Sequence, residues 1–353
     1  MKTGKTLQEL ATELQRQSES KRDFLCRTDS LDFKTKEGGK SSLYLNKSNG
    51  QNFPISDYTH GQISTHIEIP KKYYDKMRES SPELLDVNVN HWFQQSPEKR
   101  LVRTMDGNVR AFLSDRFRPY DNYEIAEQTL NAFQQADCEV ISSEITEKKF
   151  YLKAVSKKIS SAIGINDIVQ SGVVISNSEI GAGSLKVEPL LFRLVCLNGL
   201  IVADASFRKN HIGKAIGNDL GDNFIEILAD DTRRASDHAV LLQIRDIVQN
   251  VLTDEGFKRV VEKFHAAKSD VITQDPFQTI ELVSKRFNLG EQESKGILSH
   301  LLAGRELNRF GLINATTRYS QDIENYDRAT EMEKLGGEIL ELSPSEWKSV
   351  AIA

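Results

Sequence analysis

At 353 residues, with 39% hydrophobic and 27% charged side chains, the chain has the composition of a folded protein of one or two domains, not of a disordered or fibrous one. No apolar run approaches the ~18 residues that a membrane-spanning helix needs, and Met1-Lys2-Thr3-Gly4-Lys5 leads into polar sequence instead of an apolar leader. Cys26, Cys138 and Cys196, too scattered for a disulfide framework, point to the cytoplasm, and a net charge of −5 argues against a surface evenly coated with nucleic acid.

The chain opens on a helix, because Leu7, Leu10, Ala11 and Leu14 share one stripe. After residue 34 it turns to loop chemistry, Lys36-Glu37-Gly38-Gly39-Lys40-Ser41-Ser42 and Asn46-Lys47-Ser48-Asn49-Gly50, read as a flexible surface segment. Gly38-Gly39-Lys40-Ser41 lacks the earlier glycine and the preceding strand of a phosphate loop. Pro70 to Leu85 is helical, interrupted or restarted at Ser81-Pro82. Leu101 to Leu113 is a hairpin about Asp106-Gly107, since glycine takes positive φ at little cost. Asn122 is positioned to cap a helix over Tyr123 to Ala136.

From Cys138 to His211 the runs Val140-Ile141, 150–155, 172–175, 185–187 and 191–202 predict short strands, joined too closely for helical crossovers. Beyond Asp219 the spacing is helical: Val240, Leu241, Ile244, Ile247, Val248 and Val251 form one stripe, Thr253 caps a continuation, and Asp275-Pro276 starts a further helix. The fold class is therefore α+β, an antiparallel β-meander with N-terminal helices and a C-terminal helical region. Its divisions are 1–98, 99–214 and 215–353, the last either a separate domain or a layer of the core.

Charge is segregated along this frame. Residues 99–118 carry six basic and two acidic side chains; residues 119–147 carry seven acids and no Lys or Arg. Residues 148–214 carry ten basic and four acidic groups, and residues 215–353 carry 16 and 24. One basic face on the β region is compatible with this pattern.

No catalytic residue, metal site or cofactor emerges. The seven histidines form no His-x-x-x-His pair, no serine lies in a Gly-x-Ser-x-Gly elbow, and Cys196 sits in an apolar run as a small core residue would. Asp219, Asp222, Glu226, Asp230 and Asp231 suit a helix N-terminus better than a magnesium or acid–base site. Gly181-Ala182-Gly183 leads into a strand, so it reads as a tight hairpin and not as a dinucleotide loop. Around Asn288-Leu289-Gly290 two short helices could form a helix-turn-helix, but Ile297, Leu298, Leu301 and Leu302 make the second a packing helix.

Basic residues interleaved with aromatics remain: Arg110 to Tyr120, Lys148 to Lys158, and Phe207 to Lys214. Phosphates attract Lys and Arg, and unpaired bases stack on aromatic faces. A nucleic-acid surface would use Arg103, Arg110, Arg116, Arg118, Lys157, Lys158, Arg193, Arg208, Lys209 and Lys214 on phosphates, with Phe117 and Tyr120 stacking on bases. The bland alternative is solvated charge on a sheet edge.

Phe112-Leu113-Ser114-Asp115-Arg116-Phe117-Arg118-Pro119-Tyr120-Asp121-Asn122, Ser176-Asn177-Ser178-Glu179-Ile180-Gly181, Phe192-Arg193-Leu194-Val195-Cys196-Leu197-Asn198-Gly199 and Asn314-Ala315-Thr316-Thr317-Arg318-Tyr319 together resemble the phage- and plasmid-encoded "domain of unknown function 932" proteins, over roughly residues 100–320. The resemblance implies a mobile-element origin and company with DNA-metabolism genes; it carries over no catalytic residue. The expectation is a nucleic-acid-binding accessory protein, DNA before RNA, in replication or recombination, with single-strand annealing as its sharpest form and homo-oligomerisation as a companion property. The alternatives are an enzyme gathering Asp115, Glu179 and Asp204 in a cleft, or an interaction or virion-associated scaffold contacting partners through its acidic helices.

Overall fold

The computed structural model describes residues 1–45, 52–202, 207–211 and 230–351. At its centre is an antiparallel sheet built from β7 (Cys138–Ile145), β8 (Phe150–Gly164), β9 (Asp167–Asn177), β10 (Leu185–Arg193), β11 (Asn198–Ile201) and β12 (Phe207–Lys209). The order is β11-β10-β9-β8-β7, with β12 pairing the other half of β10. This is the expected meander, and the α+β class holds.

Helices cover both faces of this sheet. Phe150, Leu152, Ala154, Val173, Ile175, Leu185 and Val187 point to one side. They pack there with Leu10 and Leu14 of α1 (Leu7–Ser20), Ile125 and Phe133 of α5 (Asn122–Gln135), and Ile244 and Val248 of a long helix, Asp230–Val251. Consecutive residues of β8 from Phe150 to Ser156 are all buried, as a strand covered on both faces requires. Beyond Ser156 the strand leaves this cover, and Lys157, Lys158 and Ser160 become exposed. The sequence there has no apolar alternation, which is why the predicted strand ended at Val155 while the real one runs to Gly164.

A second layer comes from the N-terminal third. β1 (Arg22–Arg27) pairs with β5 (Lys99–Met105), which pairs with β6 (Asn108–Ser114) across the Asp106-Gly107 turn. Both turn residues have positive φ, 52° and 73°, as a two-residue hairpin requires. The predicted loop after residue 34 is instead a hairpin of a small sheet, β2 (Asp32–Thr35), β3 (Ser41–Tyr44) and β4 (Asn52–Pro54), turned by Gly38 and Gly39. Its second half, 46–51, lies outside the described residues. α2 (Asp57–His66), α3 (Lys71–Ser80) and α4 (Pro82–Gln95) complete this layer. The break at Ser81-Pro82 falls where expected; α2, capped by Ser56 accepting from the Thr59 N–H, did not stand out in the sequence.

After the long helix, numbered α6, come α7 (Asp254–Ala266), α8 (Pro276–Phe287), α9 (Glu291–Gly304), α10 (Arg309–Tyr319), α11 (Tyr326–Leu340) and α12 (Pro344–Ala351). Thr253 and Asp275 are the expected N-caps. Asp121, one residue before the expected Asn122, is the N-cap residue of α5. Ile297 and Leu301 of α9 are buried and Leu298 is half-buried, so this part of the apolar stripe packs inside, while Leu302 is exposed.

α11 lies on the face of the sheet opposite α5 and approaches β11 so closely that only glycine fits. A Cβ at Gly337 would stand 2.0 Å from the Ile201 carbonyl oxygen, and one at Gly336 would stand 2.5 Å from Thr317 Cγ2. At Gly304, in the last turn of α9, no atom lies within 4 Å of the same position. Gly337→Ala is therefore expected to destabilise the protein by about 1–3 kcal/mol through overpacking, whereas Gly304→Ala should be neutral or stabilise by up to ~1 kcal/mol. Urea unfolding of the two variants checks this; equal midpoints would contradict the close approach.

Candidate functional site

Arg103 lies in the middle of β5 and is 1% exposed. Its Nε donates to Asp23 Oδ1 at 2.8 Å and its Nη1 to the Glu179 carbonyl at 2.7 Å, with Asp121 Oδ1 3.5 Å from Nη2. Arg110, on β6, donates to Glu179 Oε2. Glu179 is itself 4% exposed, and its other oxygen accepts the Asn122 N–H at 2.7 Å. Lys21, at the end of α1, sits 2.7 Å from Asp121 and 3.9 Å from Glu179. Burial by itself would raise the Glu179 carboxyl, but Arg110, Arg103, Lys21 and the Asn122 amide outweigh it and hold the group below the usual carboxylate range. Two of the arginines expected on phosphates are thus committed to an internal ion-pair cluster that joins the two sheets.

The stacking candidates are also engaged within the protein. Phe117 stacks on His211 at 4.9 Å with an interplanar angle of 16°, and Tyr120, 7% exposed, meets the same ring at 5.2 Å. Arg118 N donates to the His211 carbonyl at 2.6 Å, and His211 Nδ1 lies 3.0 Å from the Arg118 carbonyl. The Arg-Phe-Arg-Pro-Tyr segment therefore latches the end of β6 onto the chain after β12. Arg116 is exposed and has partners of its own.

The remaining expected residues are dispersed. Arg193 is bidentate to Asp167 at 2.7 and 2.6 Å, at the far end of β9 and β10. Lys158 pairs with Asp137 at 3.1 Å, Lys157 is exposed beside it on β8, and Lys209 is half-buried on β12. Lys153, from the same basic stretch, is wholly buried, donating to Glu333 at 2.6 Å and to Thr330 at 3.1 Å under the Tyr326 ring. Lys214 lies outside the described residues. Of the proposed carboxylate cleft, Asp115 sits on an exposed turn, Glu179 in the ion-pair cluster, and Asp204 outside the described residues. Asp219, Asp222 and Glu226 also lie outside them. Among the described residues no three His, Cys, Asp or Glu side chains converge as a metal site.

What sequence reasoning missed is a trough of three adjoining depressions. The widest, about 1260 Å³, runs between α2, β6 and the turn after β9. It is mixed in charge, with Lys71, Arg100 and Lys148 against Asp57, Glu68, Glu98 and Glu147. His66 adds none at neutral pH, because burial and then Arg100 lower it to about 4. A middle depression of about 430 Å³ shares Tyr58 and Lys148 with the first. It shares Lys149 and Ala182 with the third, about 270 Å³, which is lined by Lys149, Lys186, Arg208 and Lys334 with Asp327 and Glu331. Only Arg208 of these four cations was among the expected phosphate contacts. Lys186 was legible as an outward position of β10, but Lys334 belongs to a helix no sequence signal tied to the sheet.

An antiparallel sheet with helices on both faces, and a mixed-charge trough ending in cations, defines an α+β protein with a polar, anion-compatible surface. The chain belongs to the family described as "Domain of unknown function (DUF932)", which matches residues 111–336, well over half of the sequence. No curated protein and no solved structure matches it. Among the described residues no helix is long and apolar enough to cross a membrane.

Glu179→Gln keeps the shape of the ion-pair cluster and leaves Arg110 largely buried without its carboxylate, while Arg103 keeps Asp23 and Asp121. The expected loss is about 3–5 kcal/mol at pH 7. Because the folded carboxyl titrates below its unfolded value, its contribution is fully present above ~4.3 and disappears as pH falls through the folded pKa. The two proteins should converge in acid. Denaturant titrations from pH 7 to 3 read this; a gap below ~1 kcal/mol at pH 7, or one independent of pH, would contradict it.

Proposed function

We propose that the protein binds single strands of nucleic acid, DNA before RNA, along the trough from α2 to the junction of β10, β12 and α11. The trough supports this reading because its depressions share residues from one to the next and its charge grades from slightly acidic in the first to cationic in the third. Lys148 and Lys149 stand where the depressions join, and Lys148 Nζ lies 5.8 Å from the Tyr58 ring centre. A flexible polyanion can follow such a path, with phosphates beside Lys148 and Lys149 and a base against the half-buried Tyr58. In this reading the protein is an accessory factor in replication or recombination of a phage or plasmid, and strand annealing, with assembly of several copies, is its most specific form.

Fluorescence anisotropy with a labelled single strand, as DNA and as RNA, tests the proposal. Binding should weaken steeply with salt, with a log–log slope near −3 if about four phosphates are neutralised. The double variant Lys148→Glu, Lys149→Glu should lower affinity at least tenfold. Lys157→Glu should change it less than twofold, since Lys157 lies eight residues from Lys149 along the chain, about 26 Å at the strand rise. Absence of salt-dependent binding, or equal effects of the two reversals, would overturn it.

A further inference from the structure

Antiparallel pairing sets Tyr151, Ser176, Lys186 and Arg208 side by side on one rung across β8, β9, β10 and β12. Residues on one rung share a face, here the face beneath α11. The helix presents two neighbouring stripes to it. Tyr326, Thr330 and Glu333 hold Tyr151 and Lys153, while Asp327, Glu331 and Lys334 border the open pocket beside that rung. Lys149 reaches the same pocket from the start of β8.

The local charge does not cancel. Glu188 holds Lys334 at 2.5 Å and lies 3.9 Å from Lys186, and Glu331 is tied to Arg328 at 2.7 Å. Asp327 accepts from Thr146 Oγ1 at 3.2 Å. Arg328 is also bidentate to Glu293 at 2.6 and 2.8 Å, so Lys149, Lys186, Arg208, Lys334 and Arg328 meet four carboxylates and the cluster keeps one excess positive charge. Arg208 offers its remaining guanidinium donors, since its Nε is used on Ser184 Oγ at 3.1 Å. Lys186 registers the excess: burial first, then Lys334, Arg208 and Lys149, lower its ammonium below the usual lysine range, with Glu188 opposing.

We propose that this pocket receives a phosphate monoester and, resting on the reading of the trough as a strand site, that the monoester is the terminal phosphate of a bound strand. A monoester presents three terminal oxygens to donors, where a backbone diester presents two, so it can meet Lys149, Lys186 and Arg208 together at the pocket. A space of about 270 Å³ accommodates one phosphate and the start of its sugar, not a run of nucleotides.

The test compares single strands ending in a 5′-phosphate, a 3′-phosphate or hydroxyls only, with orthophosphate followed by ³¹P NMR as a second probe. The wild type should prefer one phosphorylated end at least fivefold, and the preference should fade below pH 6 as the monoester takes up a proton. Arg208→Gln and Lys186→Met should abolish the preference, lowering affinity for the phosphorylated strand at least fivefold more than for the hydroxyl-ended strand, and should remove orthophosphate broadening. Strands that bind without end preference, with no orthophosphate effect, overturn the pocket and leave the trough reading intact. Orthophosphate broadening lost in both variants, with no strand bound, overturns the strand source and upholds the monoester site.

Discussion

Glu179 carries a charge in a place water hardly reaches, and four segments are arranged so that the charge is tolerated. Arg103 and Arg110 come from the N-terminal sheet, Asn122 from the start of α5 and Lys21 from the end of α1. A buried ion pair adds little net stability over an apolar contact of the same size, yet separating its members costs several kcal/mol. The cluster therefore acts chiefly on register. Any other docking of β5 and β6 against the end of β9 would strand Arg110 and Glu179 unpaired and take the Glu179 carbonyl from Arg103. With that contact fixed, the wide depression between α2, β6 and the turn after β9 follows, and Lys148 and Tyr58 are brought to its edge.

A second buried pair does the same for α11. Lys153 and Glu333 are both fully enclosed, and Gly336 and Gly337 let the helix backbone approach β11. The seating of Glu333 on Lys153 sets the rotation of the helix, and its adjoining stripe then brings Lys334 and Asp327 to the rung that carries Lys186 and Arg208. The cationic pocket depends on this seating, because its charges arrive from elements about 150 residues apart in sequence; Lys334 and Glu188 are separated by 146.

Features written in neighbouring residues were legible in the sequence. Asp106-Gly107 marks a turn because glycine relieves positive φ, Asp275-Pro276 marks a helix start through its own capping geometry, and the apolar stripe from Val240 to Val251 marks a buried helix face. The fate of a charge was not legible, since it is decided by a distant partner. Arg103 and Glu179 are 76 residues apart, and Lys153 and Glu333 are 180 apart. Basic residues interleaved with aromatics read alike whether they face solvent or an internal carboxylate, so Phe117 and Tyr120, which pack against His211, passed for base-stacking residues. Tyr151 and Lys153 share a face of β8, but α11 covers it.

The positive charge of the chain is divided between arginines used internally and a smaller cationic surface at the trough. Chemical footprinting of lysines and arginines in the free and strand-bound protein, read by mass spectrometry, measures that division at each residue. The expected result is that Arg103 and Arg110 stay unmodified in both states, while Lys148, Lys149, Lys186 and Arg208 react in the free protein and are shielded by the strand. Ready modification of Arg103 and Arg110 in the folded protein, or shielding confined to Lys157, Lys158 and Arg193, would contradict it.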